Sequence, residues 1–418
     1  MDKIYLCIDL KSFFASVECV ERNLDPFKYN LVVADPSRGK GAICLAISPA
    51  LKTRGVRNRC RIFEIPKNIS YITAIPRMKK YIKYSADIYE IYLKYISSED
   101  IHVYSIDECF LDVTNYLDMY KMTPYNLAKT IMMSIYNTTG ITATAGIGTN
   151  MYLAKIALDI TAKHVSDNIG YLDINKYKEE LWYHTPLTDF WQIGIGIAKR
   201  LHKLGINNMH DISICNENIL YKEFGINAKY LIDHSKGIEP CTIKDIKSYT
   251  PKSNSISNSQ ILFEDYTYKK ARTILIEMID SLTLQLVSIN KLTNHISFFI
   301  GYSKDIIKPL SISKKLEQPT NNYKKILNIL LKEYDKNINI NYKIRRIGIS
   351  YNNLQDKKYI QLDIFNSVAQ DNNDEKLESA INEIKNKYGK NSILRAISYR
   401  NEATQLKRNK LIGGHNAE

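Results

Sequence analysis

Short apolar runs and amphipathic segments follow one another along the first 150 residues. Residues 4–10 (IYLCIDL) form an apolar run that predicts a buried strand, with an aspartate near its end. In the next segment, Phe14, Val17 and Val20 share one face of a predicted helix. Further strands are predicted at 31–34, 42–47, 101–104, 109–113 and 141–147, and helices at 78–95 and 125–136. Because these strands do not alternate regularly with crossover helices, we expect an antiparallel-rich α+β domain rather than a doubly wound one.

The pattern changes twice in the remainder of the chain. Residues 150–235 have mostly helical periodicity, and residues 236–250 have the polar composition of a linker. Residues 251–351 then predict strand, helix, two strands, helix and strand, which is the βαββαβ order of a ferredoxin-like unit. The helices of this region are predicted near 266–288 and 323–336, and a last amphipathic helix at 377–388.

The length of the chain indicates how many domains to expect, and its net charge indicates what kind of partner it binds. The chain has 418 residues, too many for one core, so two to four domains are expected. The formal net charge is +14, and residues 241–350 hold 18 lysines and arginines against 9 aspartates and glutamates. This excess favours a polyanionic partner such as nucleic acid, with an ordinary solvated surface as the alternative.

Cysteine usage and hydropathy exclude several classes of protein. The seven cysteines are scattered, odd in number and without a CxxC pair, which argues against a disulfide framework and against a zinc site. The N-terminal apolar run is too short for a signal peptide. No uninterrupted apolar stretch reaches the roughly 18 residues that span a bilayer. We therefore expect a cytoplasmic protein with reduced thiols and no membrane partner.

Acidic residues stand at the ends of two predicted strands. Asp9 closes the first strand, and Asp107 and Glu108 lie in the turn of YSIDECFLDV. If the two strands are neighbours, three carboxylates converge at one sheet edge, and such oxygen ligands suit Mg²⁺. An isolated Asp-Glu dipeptide is more often only a turn, so the spacing alone leaves both interpretations open.

Three longer segments decide between these interpretations. CIDLKSFFASVE, YSIDECFLDVT and GIGTNMYLAKIALDITAK together resemble the signatures of the Y-family DNA polymerases, most closely the UmuC-like branch, and the resemblance runs from Met1 to the C-terminus. It implies a multidomain α+β right hand with a ferredoxin-like palm, small fingers, a helical thumb and a βαββαβ little finger. The parts would be a palm at 1–10 and 77–165, fingers at 11–76, a thumb at 166–240, a DNA-binding little finger at 245–355 and a C-terminal tail at 356–418.

The resemblance also implies a reaction. An error-prone polymerase for translesion synthesis, in DNA repair and SOS damage tolerance, would add dNTPs to the primer 3′-hydroxyl of a primed DNA template by two-metal transfer. Asp9 and Asp107 would bind both Mg²⁺ ions, Glu108 would contact the ion that activates the 3′-hydroxyl, and the carbonyl of Leu10 would complete a ligand set. No segment suggests a proofreading exonuclease, because the sequence begins directly with the catalytic strand.

Two phenylalanines follow the catalytic strand. Phe14 matches the family's steric-gate position, where a bulky ring beneath the sugar leaves no room for a 2′-hydroxyl. The neighbouring Phe13 would line the nucleotide pocket, with a place in the core as an equal alternative. The resemblance therefore implies that Phe14 selects deoxynucleotides.

Lysines in two motifs would bind the substrate triphosphate. SPALKTRGV resembles the fingers motif and places Lys52 on the phosphates, and DITAK does the same for Lys163; Lys155 would act less directly. Many relatives carry a phosphate-binding tyrosine three residues before the first cation, where this chain has Pro49. That contact would be absent or supplied by Ser48.

Contacts to DNA are expected in the thumb and in the little finger. QIGIGIAKRLHKLGI has a helix–hairpin–helix pattern in which Gly194 and Gly196 let backbone N–H groups approach a phosphate without reading sequence. In the basic second unit, Lys252, Arg345 and Arg346 are the expected phosphate contacts.

The segment QLDIF resembles the peptide that binds the bacterial sliding clamp. Gln361, Leu362, Ile364 and Phe365 would dock in the groove of the clamp, and a plain edge strand is the alternative. The UmuC-like branch leaves open a further partner, an accessory UmuD-like subunit or a recombinase.

Two other functions compete with polymerase activity. A catalytically inactive adaptor with the same fold would serve damage tolerance, and the retained acidic residues argue against it. A nucleotide cyclase would also hold metals on paired acids, but the helix–hairpin–helix and the basic second unit would have no purpose there.

Overall fold

Residue contacts divide the chain into two units, Met1–Tyr249 with His415–Glu418, and Thr250–Gly414. The computed structural model describes residues 3–251, 254–303, 307–357 and 368–418. Within these ranges no helix is long and apolar enough to cross a membrane. The boundary between the units falls at the end of the segment 236–250 that was expected to be a linker.

The first unit contains a large and a small sheet. Its strands are β1 (Tyr5–Leu10), β2 (Leu31–Val33), β3 (Ala46–Ile47), β4 (Ile72–Ala74), β5 (Ile101–Val103), β6 (Glu108–Asp112), β7 (Ala143–Gly148) and β8 (Ile169–Leu172). The large sheet has the order β5, β6, β1, β7, β8, and the small sheet has the order β3, β2, β4. In the large sheet only the β7–β8 pair is parallel. The predicted antiparallel-rich α+β class is confirmed.

Helices cover both faces of the large sheet. The helices of this unit are α1 (Phe13–Val20), α2 (Pro49–Lys52), α3 (Met78–Leu93), α4 (Tyr116–Tyr120), α5 (Pro124–Thr139), α6 (Met151–Ile156), α7 (Ile174–Leu181), α8 (Ile195–Lys203), α9 (Met209–Ile214), α10 (Glu217–Phe224), α11 (Ala228–Ser235) and α12 (Ile243–Ser248). α5 shows how the sequence sets these limits. The hydroxyl of Thr123 caps its first turn ahead of Pro124, and Gly140 ends it in the left-handed conformation.

Side chains of β1 alternate between two separate cores. Leu6 and Ile8 pack in the core that contains α3 and α5. Tyr5 and Cys7 pack in a second core, with residues of α6. Because the side-chain period of a strand is two, Asp9 continues the series of Tyr5 and Cys7 and lies on the α6 face.

Two glycines bring α6 unusually close to β7. A Cβ atom on Gly146 would overlap the carbonyl oxygen of Ala154, and one on Gly148 would overlap the amide nitrogen of the same residue. Close helix–strand approach of this kind requires glycine on the strand. The short distance lets side chains of α6 reach across β7 to the neighbouring strand β1.

Three sequence predictions for the first unit need correction. The strand predicted at 42–47 is reduced to β3, and the strand β8 was missed because its run of four residues lacks any alternation. The expected linker contains α12, where Thr242 and Asp245 form a capping box that nucleates a short helix.

The second unit has the predicted βαββαβ order. Its elements are β9 (Ser255–Tyr266), α13 (Tyr268–Ser288), β10 (Lys291–Tyr302), β11 (Leu310–Thr320), α14 (Tyr323–Asn337), β12 (Ile344–Asp356), α15 (Val368–Tyr388), α16 (Gln405–Arg408) and β13 (Leu411–Ile412). A last strand, β14 (His415–Asn416), belongs to the first unit. The four long strands form one antiparallel sheet in the order β11, β10, β12, β9. Its apolar side packs on α13 and α14.

Residues after α15 pack against α13 and α14. Arg395 pairs with Asp280 and with Glu378, and its guanidinium lies 3.7 Å from the ring centroid of Tyr323. The buried carboxylate of Glu277 accepts hydrogen bonds from the backbone amides of Thr404 at 2.9 Å and of Gln405 at 3.2 Å. The C-terminal segment up to Gly414 is therefore an integral layer of the second unit.

Candidate active site

Three carboxylates lie near one end of the neighbouring strands β1 and β6 of the large sheet. This end of the sheet, with Asp9, Asp107 and Glu108, is called the acidic edge below. In the antiparallel pair of β1 and β6, Asp9 lies directly opposite Glu108. The backbone amide of Leu10 donates to the carbonyl of Asp107 at 2.9 Å, which continues the pairing into the turn. Directly opposite residues of an antiparallel pair point to the same face. Asp9 and Glu108 therefore share a face, and the charge of Asp107 also acts on Asp9. The strands are neighbours, as the sequence-based prediction required, and the three carboxylates lie near one another.

Burial and neighbouring negative charges both oppose ionisation of Asp9. Burial raises the pKa of Asp9 from 3.8 to about 7, and the charges of Asp107 and Glu108 add to the effect. Asp107 accepts a hydrogen bond from the hydroxyl of Ser105 at 2.6 Å. Glu108 accepts one from Lys155 at 2.6 Å. A raised pKa of this kind is what a divalent cation would reverse by balancing the negative charge.

The donor set suits hard cations. Carboxylate oxygens and a backbone carbonyl, such as that of Leu10, are the ligands that Mg²⁺ prefers. Within the described ranges, however, no three acidic, histidine or cysteine side chains are already arranged around one point as a finished metal site. Two of the three carboxylates instead accept hydrogen bonds from the protein, Asp107 from Ser105 and Glu108 from Lys155.

Three lysines lie in the neighbourhood of Asp9, namely Lys11, Lys52 and Lys163. Burial lowers the pKa of Lys52, and the charges of Lys163 and Lys11 lower it further, while Asp9 opposes them. The ammonium groups of Lys163 and Lys11 are thus close enough to act on that of Lys52. Lys11, Lys52 and Lys163, called the lysine cluster below, form a positively charged group that can attract a polyanion. Lys11 was not predicted; its position directly after the catalytic strand was the signal available in the sequence.

Lys155 differs from these lysines because it is buried. Its ammonium lies 2.6 Å from Glu108 Oε1 and 2.8 Å from Asp159 Oδ2. Burial would lower the pKa of Lys155, but the negative charges of Asp159 and Glu108 outweigh it and the pKa is raised. Lys155 is therefore a charged partner of two carboxylates, whereas the sequence suggested an indirect phosphate contact.

The two phenylalanines after β1 have different surroundings. Phe13 is 3% exposed and lies in the hydrophobic core, which favours the core alternative over a pocket lining. Phe14 is only partly buried and stacks on Tyr81 with ring centroids 4.6 Å apart. The hydroxyl of Tyr81 donates to the carboxylate of the fully buried Glu18 at 2.7 Å, and Arg77 donates to the same carboxylate. The ion pair of Glu18 and Arg77 therefore fixes the position of the Tyr81 ring against which Phe14 stacks.

Ser48 is not placed to contact a triphosphate. Its side chain is fully buried, and its hydroxyl donates to the carbonyl of Tyr29 at 2.8 Å. The same oxygen accepts from the amides of Leu31 and Leu51, the latter as the cap of α2. This corrects the expectation that Ser48 replaces the missing tyrosine; its role is to join α2 to β2, which leaves Lys52 on the last turn of that helix.

The segment that was predicted to form a helix–hairpin–helix, residues 192–206, contains α8. Gly194 precedes the helix without a side-chain cap, so the first N–H groups of α8 have no side-chain acceptor from that residue. A Cβ atom on Gly194 or on Gly196 would meet nothing within 4 Å, and Ile195 between them is 69% exposed. Packing does not demand glycine here, so the bare backbone is consistent with close approach of a ligand.

The uncovered face of the second unit's sheet carries small polar residues. Ser313, Ser297, Ser350 and Ser257 are successive partners across the four strands. Hydroxyl groups can donate to phosphate oxygens without reading sequence. No motif in the sequence marked this row, because each serine comes from a different strand.

Of the basic residues predicted in this unit, Arg345 and Arg346 are described. Arg346 is exposed, with its guanidinium 5.2 Å from the ring centroid of Phe299. Arg345 pairs with Asp265 at 3.4 Å, which offsets part of its charge. Lys252 lies outside the described residues, as do the four positions predicted to bind the clamp, Gln361, Leu362, Ile364 and Phe365.

The chain is similar in sequence to known families and proteins. The model of the impB/mucB/samB family matches residues 8–159, and the model of its C-terminal domain matches residues 253–364. UvrX of Bacillus subtilis (strain 168), whose name refers to UV-damage repair, is 33% identical over 99% of this chain and 97% of its own length. DNA polymerase IV 2 of the same organism is 28% identical over 99% of each chain.

The fold has a solved counterpart as well. A Y-family DNA polymerase chimera superposes with a TM-score of 0.64 at 23% identity, covering 85% of this chain and 100% of the chimera. The fold is that of a Y-family DNA polymerase. The chain itself belongs to the impB/mucB/samB family. Its place in the UmuC-like branch stays a prediction.

The raised pKa of Asp9 predicts a stabilising substitution. Between about pH 4 and pH 7 the native state keeps a proton that the unfolded chain has released, so wild-type stability falls as the pH rises through this window. Asp9→Asn carries no such cost. In chelator at pH 8 we expect its melting temperature to exceed that of the wild type by about 2–5 °C. At pH 5 the gain should be much smaller, as measured by thermal unfolding.

The control for this experiment is Glu90→Gln, which removes an exposed carboxylate from α3. Its effect should be small at both pH values. An Asp9→Asn gain that is equal at pH 5 and pH 8 would contradict the assigned pKa.

Proposed function

We propose that this chain is a template-directed DNA polymerase that acts by two-metal nucleotidyl transfer in DNA repair. The observation that carries the proposal is the convergence of Asp9, Asp107 and Glu108 at one sheet edge beside Lys52 and Lys163 of the lysine cluster. Carboxylates for cations and ammonium groups for a triphosphate are the two halves of a nucleotidyl-transfer site. The names of the relatives, DNA polymerase IV 2 and UvrX, support it.

Each residue has a role in this proposal. Asp9, Asp107, Glu108 and the carbonyl of Leu10 would hold two Mg²⁺ ions. Such ions, when bound, supply Lewis-acid stabilisation of the attacking and leaving oxygens. Lys52 and Lys163 bind and orient the triphosphate of the dNTP, and Phe14 packs against its sugar. The primer 3′-oxygen attacks the α-phosphate, and pyrophosphate leaves.

DNA contacts in the proposal are all independent of sequence. The bare N-terminus of α8 at Gly194 and Gly196 binds phosphate in the first unit. In the second unit, Arg345, Arg346 and the serine row bind phosphate. Lys252 is a further candidate. Such contacts suit a polymerase that must accept any template, including a damaged one. We also propose low fidelity, which the resemblance to the Y-family polymerases with their small fingers implies.

An inactive adaptor is the second candidate function. It would need the fold and the DNA contacts, but not the acidic edge. Holding three like-charged, partly buried carboxylates close together costs free energy, as the raised pKa of Asp9 indicates. Retention of all three acids in a non-catalytic protein would have no compensating gain, which favours the active enzyme.

The direct test is primer extension with Asp107→Ala. Loss of this carboxylate should reduce nucleotide addition by at least about 100-fold, since electrostatic groups at a transition state contribute on this scale. Binding of primed DNA, measured by fluorescence anisotropy, should stay within a few-fold of wild type. Wild-type protein that adds no nucleotide would favour the adaptor, and retained extension by Asp107→Ala would refute the site.

Phe14→Ala tests the sugar contact. Removing the ring should open space for a 2′-hydroxyl, so the efficiency of ribonucleotide insertion relative to dNTP insertion should rise at least about 10-fold. Phe63→Ala, which truncates an exposed ring of the same size, is the matched control. Equal discrimination by Phe14→Ala and wild type would exclude Phe14 as the steric gate.

We further propose that QLDIF tethers the enzyme to the bacterial sliding clamp. A triple substitution of Gln361, Leu362 and Phe365 by alanine should leave distributive synthesis unchanged and abolish stimulation by the clamp. Asp363→Ala in the same segment is the control. Stimulation that survives the triple substitution would rule out this motif. An accessory UmuD-like subunit or a recombinase stays a prediction from the resemblance.

A further inference from the structure

Lys155 is a buried lysine in direct contact with the acidic edge. The residue is 7% exposed, and its side chain leaves α6 toward β6. Long side chains with a charge are seldom buried unless the charge is paired. Both partners of Lys155 are carboxylates, Glu108 at 2.6 Å and Asp159 at 2.8 Å.

A second donor acts on the same oxygen of Glu108. The thiol of Cys7 lies 3.2 Å from Glu108 Oε1, the atom that Lys155 also contacts. Cys7 is fully buried in β1, two residues before Asp9 and on the same face. Two donors from different elements therefore converge on Oε1, which fixes the rotation of the carboxylate.

The backbone around Lys155 is built to permit this contact. Gly146 and Gly148 allow α6 to approach β7 so closely that a Cβ atom would overlap backbone atoms of Ala154, the residue before Lys155. After α6 the chain makes a π-helical turn, Ala157–Thr161, which contains Asp159. Turns of this kind shift the helix phase by one residue. Asp159 stands four residues from both Lys155 and Lys163, and its carboxylate lies 3.5 Å from the ammonium of Lys163.

We propose that Lys155 is a positioning residue for catalysis, which holds Glu108 Oε1 together with Cys7 so that Oε2 is presented to the edge shared with Asp9 and Asp107. The inference rests on the proposed polymerase activity. Residues that orient metal-binding groups in this way typically contribute about 10- to 100-fold to activity. Lys155 would act through Glu108 and would not touch the nucleotide.

A direct contact with the triphosphate is the competing role for Lys155. The side chain is 9% exposed and already has two anionic partners, whereas that of Lys163, eight residues further along, is 57% exposed. The two roles predict different kinetic defects. Loss of a phosphate contact weakens nucleotide binding and raises KM, whereas a misplaced Glu108 lowers kcat with little change in KM.

The test compares Lys155→Met, Lys155→Arg and Lys163→Met in steady-state single-nucleotide insertion at saturating primed DNA and Mg²⁺. For Lys155→Met we expect kcat to fall about 10- to 100-fold and the KM for dNTP to stay within about 3-fold. Lys155→Arg keeps the charge and should recover a large part of kcat. Lys163→Met should instead raise KM. Thermal unfolding of each variant reports its folding.

Lys155→Met leaves two partly buried carboxylates, Glu108 and Asp159, without their cationic partner and could unfold the first unit. The double variant Lys155→Met/Asp159→Asn removes one of those charges and should show the same loss of kcat at unchanged KM. A rise in KM like that of Lys163→Met, wild-type kcat in Lys155→Met, or no recovery in Lys155→Arg would each overturn the positioning role. An inactive wild type would refute the proposed function instead, so the two failures are distinguishable.

Discussion

The antiparallel pairing of β1 with β6 is the constraint on which the rest of the site depends. It sets Asp9 opposite Glu108, and it carries Asp107 along through the turn that precedes β6. A slip of one residue would move every side chain of β1 to the other face of the sheet. Asp9 would then point into the core of α3 and α5, and the leucine and isoleucine side chains of β1 would face α6. The burial of both faces makes this register costly to change.

The acidic edge is held together at an electrostatic cost that the surrounding structure limits. Burial and like charges oppose ionisation of Asp9. Lys155 reduces the net charge from within the protein, and it can do so only because glycines at 146 and 148 let α6 approach β7. Lys52, whose pKa responds to the charge of Asp9, adds positive charge in the same neighbourhood. The negative charge of the three carboxylates is therefore partly balanced by lysines of the protein itself.

Much of this arrangement could be predicted from the sequence, because local patterns determine it. The apolar run of β1, the amphipathic spacing of α3 and α5 and the βαββαβ order of the second unit all have short-range signals. The family motifs predicted Asp9, Asp107 and Glu108 as the metal ligands, and that role stays a prediction. The period of two in β1 also determines the face on which Asp9 lies.

The remaining features depend on contacts that are distant in sequence. The pairing of Lys155 with Glu108 joins α6 to β6, and the serine row of the second unit forms only when four strands come into register. The sequence also carried no sign that the Ser48 side chain is buried and bonded to the carbonyl of Tyr29, because that contact joins residues distant in sequence. The strand β8 was not predicted because its four residues are too few to show an alternation of apolar and polar side chains.

The central claim, that the β1–β6 edge is a metal-dependent active site, is tested most directly by anomalous diffraction. Crystals would contain the protein with primed DNA, a non-hydrolysable dNTP analogue and Mn²⁺ in place of Mg²⁺. We expect two anomalous peaks roughly 3.5–4 Å apart, both in contact with Asp9 and Asp107 and one also with Glu108, while Lys155 remains on Glu108. Peaks that avoid these carboxylates, or a Lys155 ammonium that has moved to the triphosphate, would contradict it.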